Sequence, residues 1–164
     1  MRKTKVYPIT EGLTTGMSYA ILAKADRFQK HRHAWKAWQA LKDFGCRTFL
    51  VAPDLPRFEG HKVYPSLAEL KDKVDVVVPC LRTEFLEGLV DQCAEIHAQY
   101  IWFQENNWTP ELQEECDEKE INVVKGCILK HKIYAKPFAF LHPCYWHGRK
   151  ENKVPEKYSI SRIK

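Results

Sequence analysis

Short apolar runs alternate with amphipathic segments along most of the chain. The apolar runs predict buried strands, with one shorter edge strand among them, at residues 18–23, 47–51, 61–64, 74–78, 100–103 and 121–124. The amphipathic segments predict helices at about 33–44, at 83–97 and from 110 onward. Such strand–helix alternation with short links is typical of a doubly wound parallel sheet. We therefore predict an α/β, Rossmann-like fold with strand order 3-2-1-4-5-6 and a ligand crevice where that order reverses.

Residues at the predicted helix ends support these boundaries. Gly45 is placed to stop the first long helix. Ser66 and Glu69 have the spacing of a capping box, which predicts a brief helix opened by reciprocal hydrogen bonds. Thr83 is predicted to cap the next helix. Thr109-Pro110 is predicted to open the one after that, because proline is tolerated at a first helical position.

The periodicity divides the chain into three parts. Residues 1–18 form a predicted N-terminal lead-in, residues 19–132 the Rossmann-like domain, and residues 133–164 a C-terminal extension that is aromatic, basic and proline-bearing. We expect 133–147 to pack on the core and 148–164 to be mobile. A protein partner, or a second copy of the chain, would be contacted through this extension.

The composition indicates in which cellular compartment the protein lies and what kind of ligand it binds. No apolar run approaches the roughly 20 residues that span a bilayer, and the basic N-terminus is followed by no apolar signal core, so we predict a cytoplasmic protein without a membrane partner. The six cysteines are scattered, which fits a reducing compartment. The net charge of +5 is uneven: residues 1–36 carry eight Lys/Arg against two acids. A basic N-terminal region predicts an anionic ligand.

The turn after the first predicted strand concentrates positive charge next to a helix start. It holds four fixed cations, Lys24, Arg27, Lys30 and Arg32, against one Asp, and it has no G-x-G-x-x-G motif. A helix N-terminus is itself positive, so cations there cost stability unless an anion completes the arrangement. In this architecture the first turn faces the phosphates of a ligand. The alternative is a solvated basic loop.

Several segments match a known family in order and spacing. They are Gly45 to Pro53, Gly60 to Leu70, Lys73 to Val78, Ile101 to Gln104 and Lys125 to Cys127. On these segments the chain from Tyr19 to about His131 resembles the small CoA-binding proteins, whose domain is similar to the nucleotide domain of the succinyl-CoA synthetase alpha subunit. In the family's small-residue turn this chain has Ala23-Lys24-Ala25.

The resemblance implies coenzyme A as the ligand and assigns residues to it by position. Phosphate would be bound at Lys24, Ala25, Lys30 and Arg32. Adenine would lie near Pro53 and Arg57 at the end of the second strand. The pantetheine arm would follow the crevice past Leu81, Arg82 and Gln104.

Other functions are weighed against this interpretation. No acid–base pair or activated nucleophile is evident, which favours a non-catalytic binding module over an enzyme, or enzyme subunit, that uses a CoA thioester or a nicotinamide nucleotide. A metal site would need the cluster Cys127, His131, His142, Cys144 and His147, whose spacing matches no known zinc motif. Nucleic-acid binding is disfavoured because neither basic region has the pattern of a known module.

Overall fold

The computed structural model describes residues 6–104, 106–129 and 141. Its centre is a mostly parallel sheet. The helices and strands in chain order are β1 Pro8–Thr10, β2 Leu13–Thr14, β3 Ser18–Leu22, α1 Ala25–Gln29, α2 His33–Phe44, β4 Arg47–Val51, β5 Arg57–Phe58, β6 His61–Tyr64, β7 Val76–Pro79, α3 Leu89–Glu95, β8 Tyr100–Phe103, α4 Pro110–Glu118 and β9 Asn122–Lys125. Single 3-10 turns lie at Leu67–Leu70 and Thr83–Phe85.

The parallel part of the sheet has the predicted strand order. Its strands run β6-β4-β3-β7-β8-β9, which is 3-2-1-4-5-6 when they are counted along the chain, and β5 pairs antiparallel with β6 at one edge. The order reverses beside β3, which pairs in parallel with both β4 and β7. The α/β, Rossmann-like fold is therefore confirmed, and the carboxyl ends of β3 and β7 border the expected crevice.

Alternate residues of the strands face two separate cores. Tyr19 and Ile21 pack on the α2 face with Trp38 and Leu41, all of them buried. Ala20 and its neighbours on the opposite face pack with α3, α4 and the first 3-10 turn. Both faces of the sheet are covered, which explains why its central strands read as continuous apolar runs.

The predicted helix ends are partly confirmed. Gly45 ends α2 in the left-handed conformation, with φ of 87°, and the Thr109 side chain accepts a hydrogen bond from the Leu112 amide at the start of α4. The capping box is wrong: Ser66 makes no side-chain cap hydrogen bond within the described chain, and a 3-10 turn replaces the helix. Burial of Leu67 and Leu70 holds that turn without the cap.

The helix predicted over 83–97 is also corrected. Thr83 lies inside a 3-10 turn instead of capping a helix, and α3 begins only at Leu89. Gly88, at φ of 74°, breaks the chain direction between the two. The inward positions predicted for this segment, Leu86 and Leu89 among them, are nevertheless buried.

Four short elements were not predicted. Residues 8–14 form a hairpin of β1 and β2 that buries Ile9 and Leu13. Helix α1 lies within the basic turn and buries Phe28, and β5 lies in the loop before β6. Apart from Leu141, the C-terminal extension lies outside the described residues.

Candidate functional site

A cavity of about 890 Å³ opens at the carboxyl ends of β3, β7, β8 and β9. The segment after β7 is tied to β3 by the Cys80 amide, which donates to the Leu22 carbonyl at 2.8 Å. The described lining residues are Lys24, Arg27, Arg32, His33, Ala34, Cys80, Leu81, Arg82, Thr83, Glu84, Phe85, Gln104, Asn106, Asn107 and Cys127. The cavity therefore occupies the switch-point crevice that the strand order predicts.

Positive charge dominates the described wall of this cavity. Four fixed cations line it, Lys24, Arg27, Arg32 and Arg82, whereas Glu84 is the single carboxylate among the described lining residues. Field lines are focused inside a concave, partly apolar wall, so this excess attracts an anion more strongly than the same charges would on a flat surface.

The start of α2 adds its own positive field to the cavity. Arg32 is the N-cap residue, and His33 and Ala34, the first two helical residues, also line the cavity. Arg32 makes no side-chain cap hydrogen bond in the described chain, and the first turn contains no acid. The first amides of a helix have no partner within the helix, so they are available to an anion bound at this point.

Gln104 orders the wall between α2 and β8. Its Oε1 accepts from the Ile128 amide at 3.2 Å and lies 2.8 Å from His33 Nε2. Because this oxygen can only accept, Nε2 of His33 must carry the proton in this contact. Gln104, which is buried, thus fixes the His33 ring at the cavity wall.

Asn107 orders the opposite part of the wall. It follows β8, and its Nδ2 donates to the carbonyls of Pro79, at 2.7 Å, and Leu81, at 3.0 Å. These two bonds clamp the segment after β7 to the loop after β8. Asn107 is 4% exposed, so the clamp is built into the base of the cavity.

The mouth of the cavity carries an aromatic ring beside a cation. Lys24 Nζ lies 3.6 Å from the centroid of the Phe85 ring, and this ring is 47% exposed. Lys24 precedes α1, and Phe85 belongs to the 3-10 turn after β7. The contact therefore bridges the two loops that flank the switch point.

The Cys80 thiol in the cavity wall is not an activated nucleophile. Burial, with a smaller contribution from Cys127, raises the pKa of the Cys80 thiol to about 12. The nucleophilic form of cysteine is the thiolate, and Cys80 is protonated at neutral pH. Cys80 therefore fits a wall residue better than a reacting one.

Six of the ten residues predicted to bind the cofactor line the cavity: Lys24, Arg27, Arg32, Leu81, Arg82 and Gln104. The other four, Ala25, Lys30, Pro53 and Arg57, are not among the described lining residues.

Two of those four have contacts that explain their position. Lys30 lies 3.9 Å from Asp26 one turn back along α1, and both side chains are largely exposed. Arg57 donates to the Gly60 carbonyl at 2.9 Å, across the β5–β6 turn.

His31 and His33, which alternate with cations in the sequence, lie in different surroundings. His33 lines the cavity, whereas His31 stacks on Trp35 with ring centroids 4.2 Å apart. Of the metal candidates, Cys127 lies in the cavity wall, and His131, His142, Cys144 and His147 lie outside the described residues. No group of three or more possible metal ligands occurs among the described residues.

Sequence reasoning missed Phe85, Asn106 and Asn107 as lining residues. The position of Asn107 offered a signal, because the loop after each parallel strand opens at the ligand edge of the sheet. Phe85 offered none, since it was assigned to a helix that the structure replaces with a 3-10 turn.

The fold and the cavity together define a Rossmann-like nucleotide-binding class of protein. A family model described as CoA binding domain matches residues 19–132. The chain therefore belongs to the CoA-binding domain family, and the resemblance inferred from the sequence is confirmed.

Individual relatives agree with this assignment. The uncharacterized protein YneT of Bacillus subtilis is 26% identical over 122 residues, which make up 74% of this chain and 89% of YneT. Among solved structures, cell-free ID.343 from Thermus thermophilus matches with a TM-score of 0.62 at 23% identity, over 71% of this chain and 89% of that one.

A larger protein contains the same fold. Acetyl-coenzyme A synthetase 1 of Ca. Korarchaeum cryptofilum matches with a TM-score of 0.55 at 18% identity, over 65% of this chain and 25% of that chain. At these identities the likeness to solved structures shows the fold alone. Among the described residues, no helix has the length and apolar character needed to cross a membrane.

Proposed function

We propose that this chain binds coenzyme A or an acyl-CoA as a non-catalytic module, through the cavity at the switch point. The observation that carries the proposal is the convergence of Lys24, Arg27 and Arg32 with the uncapped start of α2 in one cavity. Family membership supports CoA as the ligand. Residues 19–132 form the binding domain, 1–18 its lead-in and 133–164 an extension.

The charge balance of the wall suits the phosphates of CoA. CoA carries a pyrophosphate and a ribose phosphate, and four cations of the described wall face this cavity against one acid. A hydrogen bond to a charged group contributes about 1.5–3 kcal/mol, so two or three such contacts contribute roughly 3–9 kcal/mol, against about 8 kcal/mol for a micromolar affinity.

We propose an orientation for the ligand that the resemblance suggests and that the cavity lining supports in part. The pyrophosphate would lie at the α2 start beside Arg27 and Arg32. Adenine would extend toward the end of β4, where Pro53 and Arg57 lie outside the cavity wall. The pantetheine arm would run the other way, past Leu81 and Gln104.

The wall chemistry favours binding over catalysis. Cys80 is held as a neutral thiol, and Glu84 is the single carboxylate of the described lining, so that part of the wall supplies neither an activated thiol nor a pair of carboxylates. Asp54, the acid that a nicotinamide nucleotide would need after the second strand, is exposed and is not among the described lining residues. The scattered cysteines suit a reducing cytoplasm.

Thermal unfolding with added ligands tests the proposal. We expect CoA and acetyl-CoA to raise the melting temperature of the full chain more than NAD or ATP does at equal concentration. Equal shifts from all four ligands, or no shift, would exclude CoA as the preferred ligand. Acetyl-CoA should be recovered intact after prolonged incubation, and its hydrolysis or transfer would identify an enzyme instead.

A further inference from the structure

One amide in the cavity wall has its orientation determined by two hydrogen bonds. The Nδ2 atom of Asn107 donates to the carbonyl oxygens of Pro79 and Leu81, at 2.7 and 3.0 Å. Both acceptors are oxygens without a proton, so the atom that faces them must be the nitrogen. The other end of the amide is therefore the oxygen Oδ1, an obligate acceptor.

This oxygen is buried and accepts no hydrogen bond from the part of the chain that the structure describes. Asn107 itself is 4% exposed, and it lines the cavity. A buried acceptor without a donor destabilises the folded chain, and most native proteins avoid it. A ligand bound in the cavity that Asn107 lines would supply the missing donor.

The position of Asn107 separates it from the phosphate-binding end. Lys24 and Arg27 follow β3, whereas Asn107 follows β8, and β7 lies between those two strands. Neighbouring strands are about 4.8 Å apart, and the Asn107 amide reaches back to Pro79 at the end of β7, so it lies roughly 5–10 Å from the end of β3. A ligand that contacts both places must span that distance.

We propose that Asn107 Oδ1 accepts a hydrogen bond from a neutral N–H or O–H donor on the uncharged arm of the ligand, and so selects ligands that carry such an arm. This inference rests on the proposed function. The pantetheine arm of CoA carries two amide N–H groups and a hydroxyl, any of which has the required chemistry. The phosphates determine where the ligand binds, and Asn107 distinguishes CoA from its nucleotide half.

The test compares CoA with 3′-phospho-ADP, which has the same phosphates and no arm. We expect calorimetry to show that the wild-type chain binds CoA at least tenfold more tightly. Asn107→Leu should reduce that preference at least fivefold. Asn107→Asp retains an oxygen at the Oδ1 position and should keep the preference within about threefold.

The two variants control for one another because both disrupt the clamp to Pro79 and Leu81: leucine donates to neither carbonyl, and a carboxyl donates to one of them at most. An equal loss of preference in both would show that Asn107 acts through the clamp and would overturn the proposal. An unchanged preference in Asn107→Leu would overturn it too. If neither ligand binds the wild-type chain, the proposed function itself fails.

A measurement on the wild-type chain decides the matter if the variants do not fold. The side-chain amide signals of Asn107 in an NMR spectrum should shift when CoA is added and stay in place with 3′-phospho-ADP. Identical responses to the two ligands, or equal affinities for them, would overturn the proposal.

Discussion

Two helices of this chain begin in opposite ways. At the start of α4, Thr109 Oγ1 accepts from the Leu112 amide at 3.2 Å, Pro110 occupies the first position, and Glu111 places negative charge in the first turn. At the start of α2, Arg32 is the N-cap, and neither a side-chain cap hydrogen bond in the described chain nor a first-turn acid is present. One helix start is complete within the fold, and the other is not.

The difference is explained by what each helix start faces. The α4 start lies outside the described cavity lining, whereas Arg32, His33 and Ala34 at the α2 start all line the cavity. Neutralising the α2 dipole with an acid would stabilise the helix but would repel a phosphate. The contrast teaches that an uncapped, basic helix start indicates an anion-binding site when a cavity opens onto it.

The largest expected effect comes from reversing charge at the α2 start. Arg27→Glu with Arg32→Glu turns two attractive contacts into repulsive ones, so CoA should bind more than a hundredfold more weakly, measured by calorimetry. Lys30→Glu is the matched control, because Lys30 lies nearby but outside the described lining, and its effect should be less than fivefold. Comparable losses in both would place the phosphates outside this cavity.

Giving α2 a conventional cap should separate folding from binding. Arg32 has φ of −78° and ψ of −166°, an extended conformation that suits an N-cap residue, so Arg32→Asp should raise the apo free energy of unfolding by about 1 kcal/mol. The same variant should bind CoA at least tenfold more weakly. Denaturant unfolding and calorimetry measure the two effects, and lower stability would show that Arg32 has a structural partner.

Removing the cap of α4 should have the complementary result. Thr109→Ala should lower stability by about 1 kcal/mol, or roughly 2–4 °C in melting temperature, and leave CoA affinity unchanged. Ser66→Ala is the control, since Ser66 makes no cap bond in the described chain, and it should stay within about 0.5 kcal/mol of wild type. If the two substitutions cost the same, the Thr109 cap contributes nothing.

The smallest expected effect is on the stability of the folded chain at acid pH, and it comes from a residue that lies away from both helix starts. Asp72 lies 2.5 Å from His97 Nδ1, and this hydrogen bond lowers the pKa of the Asp72 carboxyl below its ordinary value. The contribution is present above the unfolded pKa of about 3.9 and is lost as pH falls through the lower folded pKa. Asp72→Asn should therefore make stability slightly less sensitive to pH below about 4. An unchanged acid profile would contradict this.

Apolar runs and one long amphipathic helix could be predicted from the sequence, and elements without such a pattern could not. All six parallel strands and α2 lie within a few residues of their predicted positions, because burial in the sheet selects runs of apolar residues and burial of one helix face selects a helical period. Helix α1 has five residues and β5 two, too few to show a period. They exist because the fold buries residues such as Phe28, which a local pattern does not reveal.

The positive charge of the candidate site was predicted more accurately than the individual residues that form it. The basic turn was evident, but the structure separates its cations: Lys24 and Arg27 line the cavity, while Lys30, which follows α1, lies beside Asp26. Where each cation lies depends on where α1 begins and ends, so an unpredicted helix leaves that choice open.

Hydrophobic patterning in the sequence was enough to predict the fold class, because it depends on which residues are buried, and the usual strand order followed from that class. The family was indicated by the resemblance of particular segments, Gly45 to Pro53 and Gly60 to Leu70 among them. The contents of the cavity wall depended on tertiary structure. Asn107 meets the carbonyl of Pro79, 28 positions earlier, because parallel strands bring the loops that follow them to one edge of the sheet. Whether its oxygen then has a donor depends on the packing of those loops in space, and no local pattern encodes that.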